Sequence, residues 1–304
     1  MNNVISYYYG INILDVYDLG DKYYFNYDNK NYYLLPFNRD YNDIKSIIDL
    51  CLELRKRNVL TNEIIINKFN MYLTPINKKY YILLKENSND NIITMNDIFY
   101  IQNNTLDIIG SKNLYRTDYI SMWSSKIDYY EDKIKDIQGK YKNIDKTIDY
   151  YIGLGENALV YLINNNIKIS NVVVSHRRIN INKGGLDFYN PVNYILDSRT
   201  RDFSEYIKDL FFNGELSFDT FINYLEYMRF DRDEYILFIS RMLFPSYYFD
   251  IVDRIIDNNE DDNLLEGMIN KKDDYIIFIR DIFNYLMRVK RINIPYIEWI
   301  IKKI

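Results

Sequence analysis

At 304 residues and 48% hydrophobic side chains, the chain is long enough to bury one large domain or two lobes and too apolar to be a disordered tail. Its net charge is -5, with basic residues dispersed among acidic ones, which excludes the basic stripe of a nucleic-acid-binding surface. One cysteine and one histidine exclude an internal disulfide and a Cys/His metal cluster.

Cys51 sits among apolar neighbours and reads as a small core residue, not a nucleophile. The 33 tyrosines and the single alanine, Ala158, read as the codon bias of an AT-rich genome. The start, Met1 to Ser6, lacks the basic region and apolar run of a secretory signal, and no stretch approaches the roughly 20 uncharged residues of a membrane span. The expectation is a protein made and kept in the cytoplasm.

Residues 1–92 read as strands with one helix. Tyr23 to Tyr27 and Tyr32 to Leu35 flank the turn-rich Asp28-Asn29-Lys30-Asn31, which predicts a hairpin. Ile44, Ile47, Ile48, Cys51 and Leu54 recur at helical spacing, with Asp43 at the start and Arg55, Lys56 and Arg57 at the end to suit the helix dipole. Glu63 to Leu73 and Lys79 to Lys85 read as two further strands, giving a small antiparallel lobe. The polar run Glu86 to Asn91 marks the boundary with a mostly helical second lobe, 93–304.

In that second lobe Trp123, Ile127, Tyr130, Ile134, Ile137 and Tyr141 follow spacings of four and three, and a second helix runs from about Asp145 to Ile163. The spacing fits a coiled coil or two packed helices, and Gly139, Gly153 and Gly155 favour the packed helices. From Asp202 onward the pattern is helical almost throughout, with Pro245 and Pro295 near helix starts.

Between these helical stretches lies a segment, 172–202, with the order of a phosphotransferase site. Val172-Val173-Val174-Ser175-His176 is an apolar strand ending in the lone histidine. Kinase-like enzymes follow such a strand with a catalytic Asp two residues after the His, a magnesium-binding Asn five further on, and a second strand ending in a metal-binding Asp. Here the first position is Arg178 and the second is Lys183. A guanidinium has donors only and cannot take a proton from a substrate hydroxyl. Two cations in these places repel magnesium; Asn182, one residue early, is the alternative ligand after a loop shift. The metal-Asp position has two candidates: Asp187, in the string Asp-Phe-Tyr, and Asp197, which ends the apolar run Tyr194-Ile195-Leu196 and is favoured by its distance from His176. Asp202 reads as a helix cap that braces the loop. His176 reads as structural, not as a base.

The small lobe lacks its expected parts too. The strand Asn31 to Phe37 ends Leu34-Leu35-Pro36-Phe37, without the lysine that would hold a nucleotide's phosphates. Glu53 or Asp49 would be its helix partner and without it reads as surface charge. Only isolated Gly10 and Gly20 stand where a glycine-rich loop would be.

Three stretches carry a family resemblance: Ile148 to Ala158, Arg201 to Ile207 and Leu243 to Asp250. They resemble the CotS/YutH spore coat family, in the aminoglycoside phosphotransferase and choline kinase branch of kinase-like folds. The resemblance implies an α+β, bilobal protein-kinase-like fold, with a small antiparallel-sheet N-lobe and a mostly helical C-lobe. It also implies synthesis in the mother cell of an endospore former, then residence in the spore coat among other coat proteins. With the degenerate loop, the expectation is a non-catalytic coat component needing no cofactor; the alternative is a divergent phosphotransferase using ATP and Mg, with Asp197 on the metal and Asp187 as base.

Overall fold

The computed structural model describes residues 1–87, 92–169, 171–179 and 184–301. In chain order the elements are α1 (Asn2–Tyr9), β1 (Tyr17–Asp18), β2 (Tyr23–Tyr27), β3 (Lys30–Pro36), α2 (Asp43–Lys56), β4 (Glu63–Ile65), β5 (Thr74–Ile76), β6 (Lys79–Lys85) and α3 (Met95–Thr105). There follow α4 (Tyr119–Ile137), α5 (Lys142–Asn165), β7 (Val172–His176), α6 (Gly184–Phe188), β8 (Tyr194–Ser198), α7 (Thr200–Asn213), α8 (Phe218–Met228) and α9 (Arg232–Leu243). The last are α10 (Ser246–Asn258), α11 (Glu266–Asn284) and α12 (Glu298–Ile301). Among the described residues, no helix is long and apolar enough to cross a membrane.

Packing divides the chain otherwise than the 1–92 and 93–304 split of the sequence reading. One compact unit is 1–115 with 172–197, and the other is 116–171 with 198–304. Side-chain bonds to backbone carbonyls within the first unit give the reason. Asn62, beside β4, donates to the Leu186 carbonyl, and Arg39 donates to the carbonyls of Val192 and Tyr194. The Val174 amide in turn donates to Thr105 Oγ1 on α3. Buried backbone groups need such partners, so β7, α6 and β8 are fixed to the sheet's own unit.

The first unit's sheet has the order β1-β2-β3-β6-β4, with β5 also on β6, and these strands pair antiparallel. The expected hairpin is β2 and β3. Asp28 and Asn29 both take left-handed backbone, φ 51° and 54°, as the twist of a two-residue hairpin turn requires. Helix α1, which the sequence reading does not contain, packs Ile5 against Phe25, Leu34, Ile76 and Leu83. Its run of Val, Ile and Tyr carries little helix preference; burial of Ile5 decides it.

The run from Glu63 to Leu73, expected as one strand, is broken. Buried Asn67 accepts from the Phe69 and Met71 amides through Oδ1 and donates to Thr74 Oγ1. A side chain that bonds nearby amides offers the backbone an alternative to the ladder, so the chain turns between β4 and β5.

In the second unit α4 and α5 are two packed helices. Gly155 faces Ile127 across the pair, where an added Cβ would lie at an ordinary van der Waals distance of 3.5 Å. Aromatic stacking fills the interior: Trp123 on Phe244 at 4.5 Å between ring centres, Tyr130 on Phe249 at 4.3 Å, and Tyr151 on Tyr248 at 3.8 Å.

Candidate functional site

Strand β7 delivers His176 to the interior, 2% exposed. Its Nε2 lies 2.8 Å from the Phe188 carbonyl, and because a carbonyl only accepts, that nitrogen is the donor. The ring stacks on Phe188 at 4.3 Å and meets Tyr194 edge-on at 5.3 Å. A histidine so placed ties β7 to α6 and β8, and its Nε2 has no lone pair left for a proton. We expect His176→Leu to cost about 1–3 kcal/mol in urea unfolding by leaving the buried Phe188 carbonyl without its donor. A loss under about 0.5 kcal/mol would deny the histidine this bracing role.

Arg178 is exposed, and its Nη1 donates to the Arg177 carbonyl at 3.0 Å. Lys183 and Asn182 lie outside the described residues. Asp187 is in α6, where Asn193 Nδ2 donates to both its carbonyl and Oδ1 at 3.2 Å. Asp197, near the end of β8, is fully buried. Among the described residues, no group of three or more His, Cys, Asp or Glu side chains is arranged to hold a metal ion. Asp202 is 1% exposed and lies inside the first turn of α7, not at its cap. The helix begins two residues earlier than expected, at Thr200, and a carboxylate in its first turn suits the helix dipole.

In the sheet, β3 presents Leu34 to the core and pairs Pro36 with Tyr81. The sheet's lysine-carboxylate pair is elsewhere: Lys85 on β6 bonds Glu63 on β4 at 2.5 Å. Glu53 is taken up by Lys56 and Arg57 of its own helix, which hold its carboxyl below the usual carboxylate range, while Asp49 is exposed. Gly10 caps α1 in left-handed backbone, φ 72°, with its amide on the Ser6 carbonyl, so it belongs to a helix end, not to a phosphate loop.

Arg39 lies outside the residues expected from the sequence. Its side chain is 2% exposed; Nε bonds Asp43 Oδ2 at 2.9 Å, and Nη1 donates to the Val192 and Tyr194 carbonyls at 3.1 and 2.8 Å. Asp43 also accepts from Asn113, whose Oδ1 takes the Ser46 hydroxyl. This network fastens the start of α2 to β8. The i,i+4 spacing of Arg39 and Asp43 was visible in sequence, but the two carbonyl partners, more than 150 positions away, were not.

At the positions expected to hold a nucleotide with magnesium stand Arg178, the end of β3 without a lysine, and, among the described residues of the segment, the buried carboxylates of Asp197 and Asp202.

The family described as "Spore coat putative kinase YutH" matches residues 2–282. The chain belongs to the YutH spore coat family. The endospore coat-associated protein YutH of Bacillus subtilis (strain 168) is 24% identical over 180 residues, a stretch that spans 52% of this chain and 52% of that protein. The aminoglycoside phosphotransferase of Alicyclobacillus acidocaldarius superposes with a TM-score of 0.67 at 10% identity, covering 93% of this chain and 95% of that one. Choline kinase LicA of Streptococcus pneumoniae gives 0.52 at 12% identity, covering 88% and 94%. At such identities the likeness establishes the fold, which is the kinase-like fold expected of the YutH family.

Proposed function

We propose that the protein is a non-catalytic, kinase-like component of the spore coat, which binds other coat proteins and turns over no substrate. Membership of the YutH family and the coat association of the Bacillus subtilis relative support the location. The observation that carries the loss of chemistry is Arg178, a permanent cation at the position where phosphoryl transfer needs a carboxylate. The inward commitment of His176 Nε2 is consistent with it, since the neighbouring histidine cannot take over as base through that nitrogen.

The competing reading is a divergent phosphotransferase; the full burial of Asp197 on β8, where a metal-binding Asp would be expected, is the one observation in its favour. Thermal unfolding with ATP and magnesium, together with labelled phosphate transfer to choline, an aminoglycoside and the protein itself, separates the two. The expected result is no shift in melting temperature and no transfer. Saturable stabilisation with transfer to any acceptor overturns the proposal.

A further inference from the structure

Helix α2 is apolar on two sides. Ile47, Leu50 and Leu54 are buried in the unit. A second stripe, Ile48, Cys51, Leu52 and Arg55, follows the same three-and-four spacing and faces a groove of about 310 Å³ whose other wall is residues 61–66, the whole length of β4 and its flanks. Surface helices of globular proteins carry one apolar stripe, and the second needs a reason. Leu52 is 51% exposed and Ile66 is 45% exposed, so the stripe and the strand opposite it are left open.

The strand wall supplies the first half of the recognition chemistry. Among the described strands β4 pairs with β6 alone, so its outer edge has backbone donors and acceptors with no strand beside them. A segment laid there in extended form would add a strand and turn alternate side chains into the groove against Ile48, Leu52, Ile64 and Ile66. The volume is at the small end of the roughly 300–1,000 Å³ usual for binding sites, enough for the side chains of a short segment and not for a packed helix.

Charge supplies the second half. Lys56 and Arg57 share the single carboxylate of Glu53, and Glu63 is held by Lys85, whereas Arg55 makes no ion pair among the described residues. The groove thus ends at an unpaired guanidinium beside a helix end of net positive charge, which favours a carboxylate on the occupant.

We propose that the groove between β4 and α2 takes an extended segment of a partner protein, with apolar residues at alternate positions and an acidic residue set against Arg55. The site uses no residue of the 172–202 segment, and binding there needs no nucleotide, so it stands or fails independently of whether the kinase-like frame is active.

The test uses the full chain and a set of fluorescein-labelled nonapeptides. In each, valine, leucine, isoleucine or tyrosine alternates with threonine, and two glutamates stand at one end or the other. Fluorescence polarisation is expected to show saturable binding of at least one peptide, weakened about tenfold or more when its glutamates become lysines, by Leu52→Glu and by Arg55→Glu. Bound peptide is also expected to slow alkylation of Cys51, the only cysteine and a wall of the groove. Leu52 is half exposed, so unchanged circular dichroism in Leu52→Glu separates lost binding from lost folding. The proposal is overturned if no peptide saturates, if both substitutions leave binding intact, or if lysine peptides bind equally well. A concentration-dependent dimer that Leu52→Glu dissolves would assign the groove to a second copy of the chain and would also overturn it.

Discussion

Replacing Glu234 by Ala is expected to remove about 3–5 kcal/mol of unfolding free energy, among the largest losses available to a single substitution in this chain. Glu234 is 4% exposed and all its acceptor capacity is in use. Oε1 accepts Arg199 Nε at 2.6 Å and Asn171 Nδ2 at 3.0 Å; Oε2 accepts Arg199 Nη2 at 2.6 Å and the Asp231 amide at 2.9 Å. The Asp231 side chain returns a bond from the Glu234 amide, completing a capping box at the start of α9. Truncation strips a mostly buried guanidinium of its counter-charge and removes one arm of the cap at the same time. Breaking a buried pair from one side costs far more than the pair's net worth, because the remaining charge keeps its desolvation penalty. Glu234→Gln keeps the shape and some acceptor capacity, so its expected loss is smaller, about 1–3 kcal/mol. Urea unfolding of both variants checks the order. Equal losses, or an Ala variant within about 1 kcal/mol of the parent, would show that the charge is not what holds this junction.

Alkaline unfolding between pH 10 and 12 is the second large effect expected. Burial pushes the Tyr9 and Tyr235 hydroxyls up to about 12. Burial lifts Tyr151, Tyr161 and Tyr248 further above their ordinary value, and Tyr130 also through its bond to Asp253. Tyr247 and Tyr275 are raised well above the ordinary value by the same cause. A folded-state pKa above the unfolded one means that the fold holds protons the unfolded chain gives up. The stability from these groups is full below pH 10 and is lost as pH rises through the folded values. Each unit of difference is worth about 1.4 kcal/mol per group, and several groups act together. Lys208 works in the opposite sense: burial lowers its pKa, so its penalty eases as pH approaches 10.5, but it is one group against many. Absorbance of tyrosinate near 295 nm and far-ultraviolet circular dichroism should change together in one cooperative step above pH 10. Gradual ionisation at pH 10 with the helical signal unchanged would mean that these tyrosines are not buried as described.

The contrast among the tyrosines shows how far the sequence could be read. Their number was plain. Which of them are structural depends on partners remote in sequence. Tyr130 bonds the Phe249 carbonyl 119 residues away, and Tyr275 bonds that of Met242. The hydroxyl of Tyr151 is buried with no hydrogen-bond partner among the described residues, so the same side chain carries a different energetic role at each place.

The sequence by itself determined the hairpin of β2 and β3, helix α2, the packed pair α4 and α5, most of the later helices, and the kinase-like frame with Arg178 in it. These depend on short-range periodicity, turn chemistry and residue identity, all of which are local. Only the tertiary structure decided the formation of α1, the break between β4 and β5, the grouping of β7 and β8 with the sheet's unit, and the bracing by Arg39. Each of these is settled by burial or by hydrogen bonds across long stretches of chain: Ile5 against the sheet, Asn67 on Thr74, Asn62 on Leu186, and Arg39 on Val192 and Tyr194. A buried polar group must find a partner wherever the fold places one, and that obligation has no period by which a sequence could announce it.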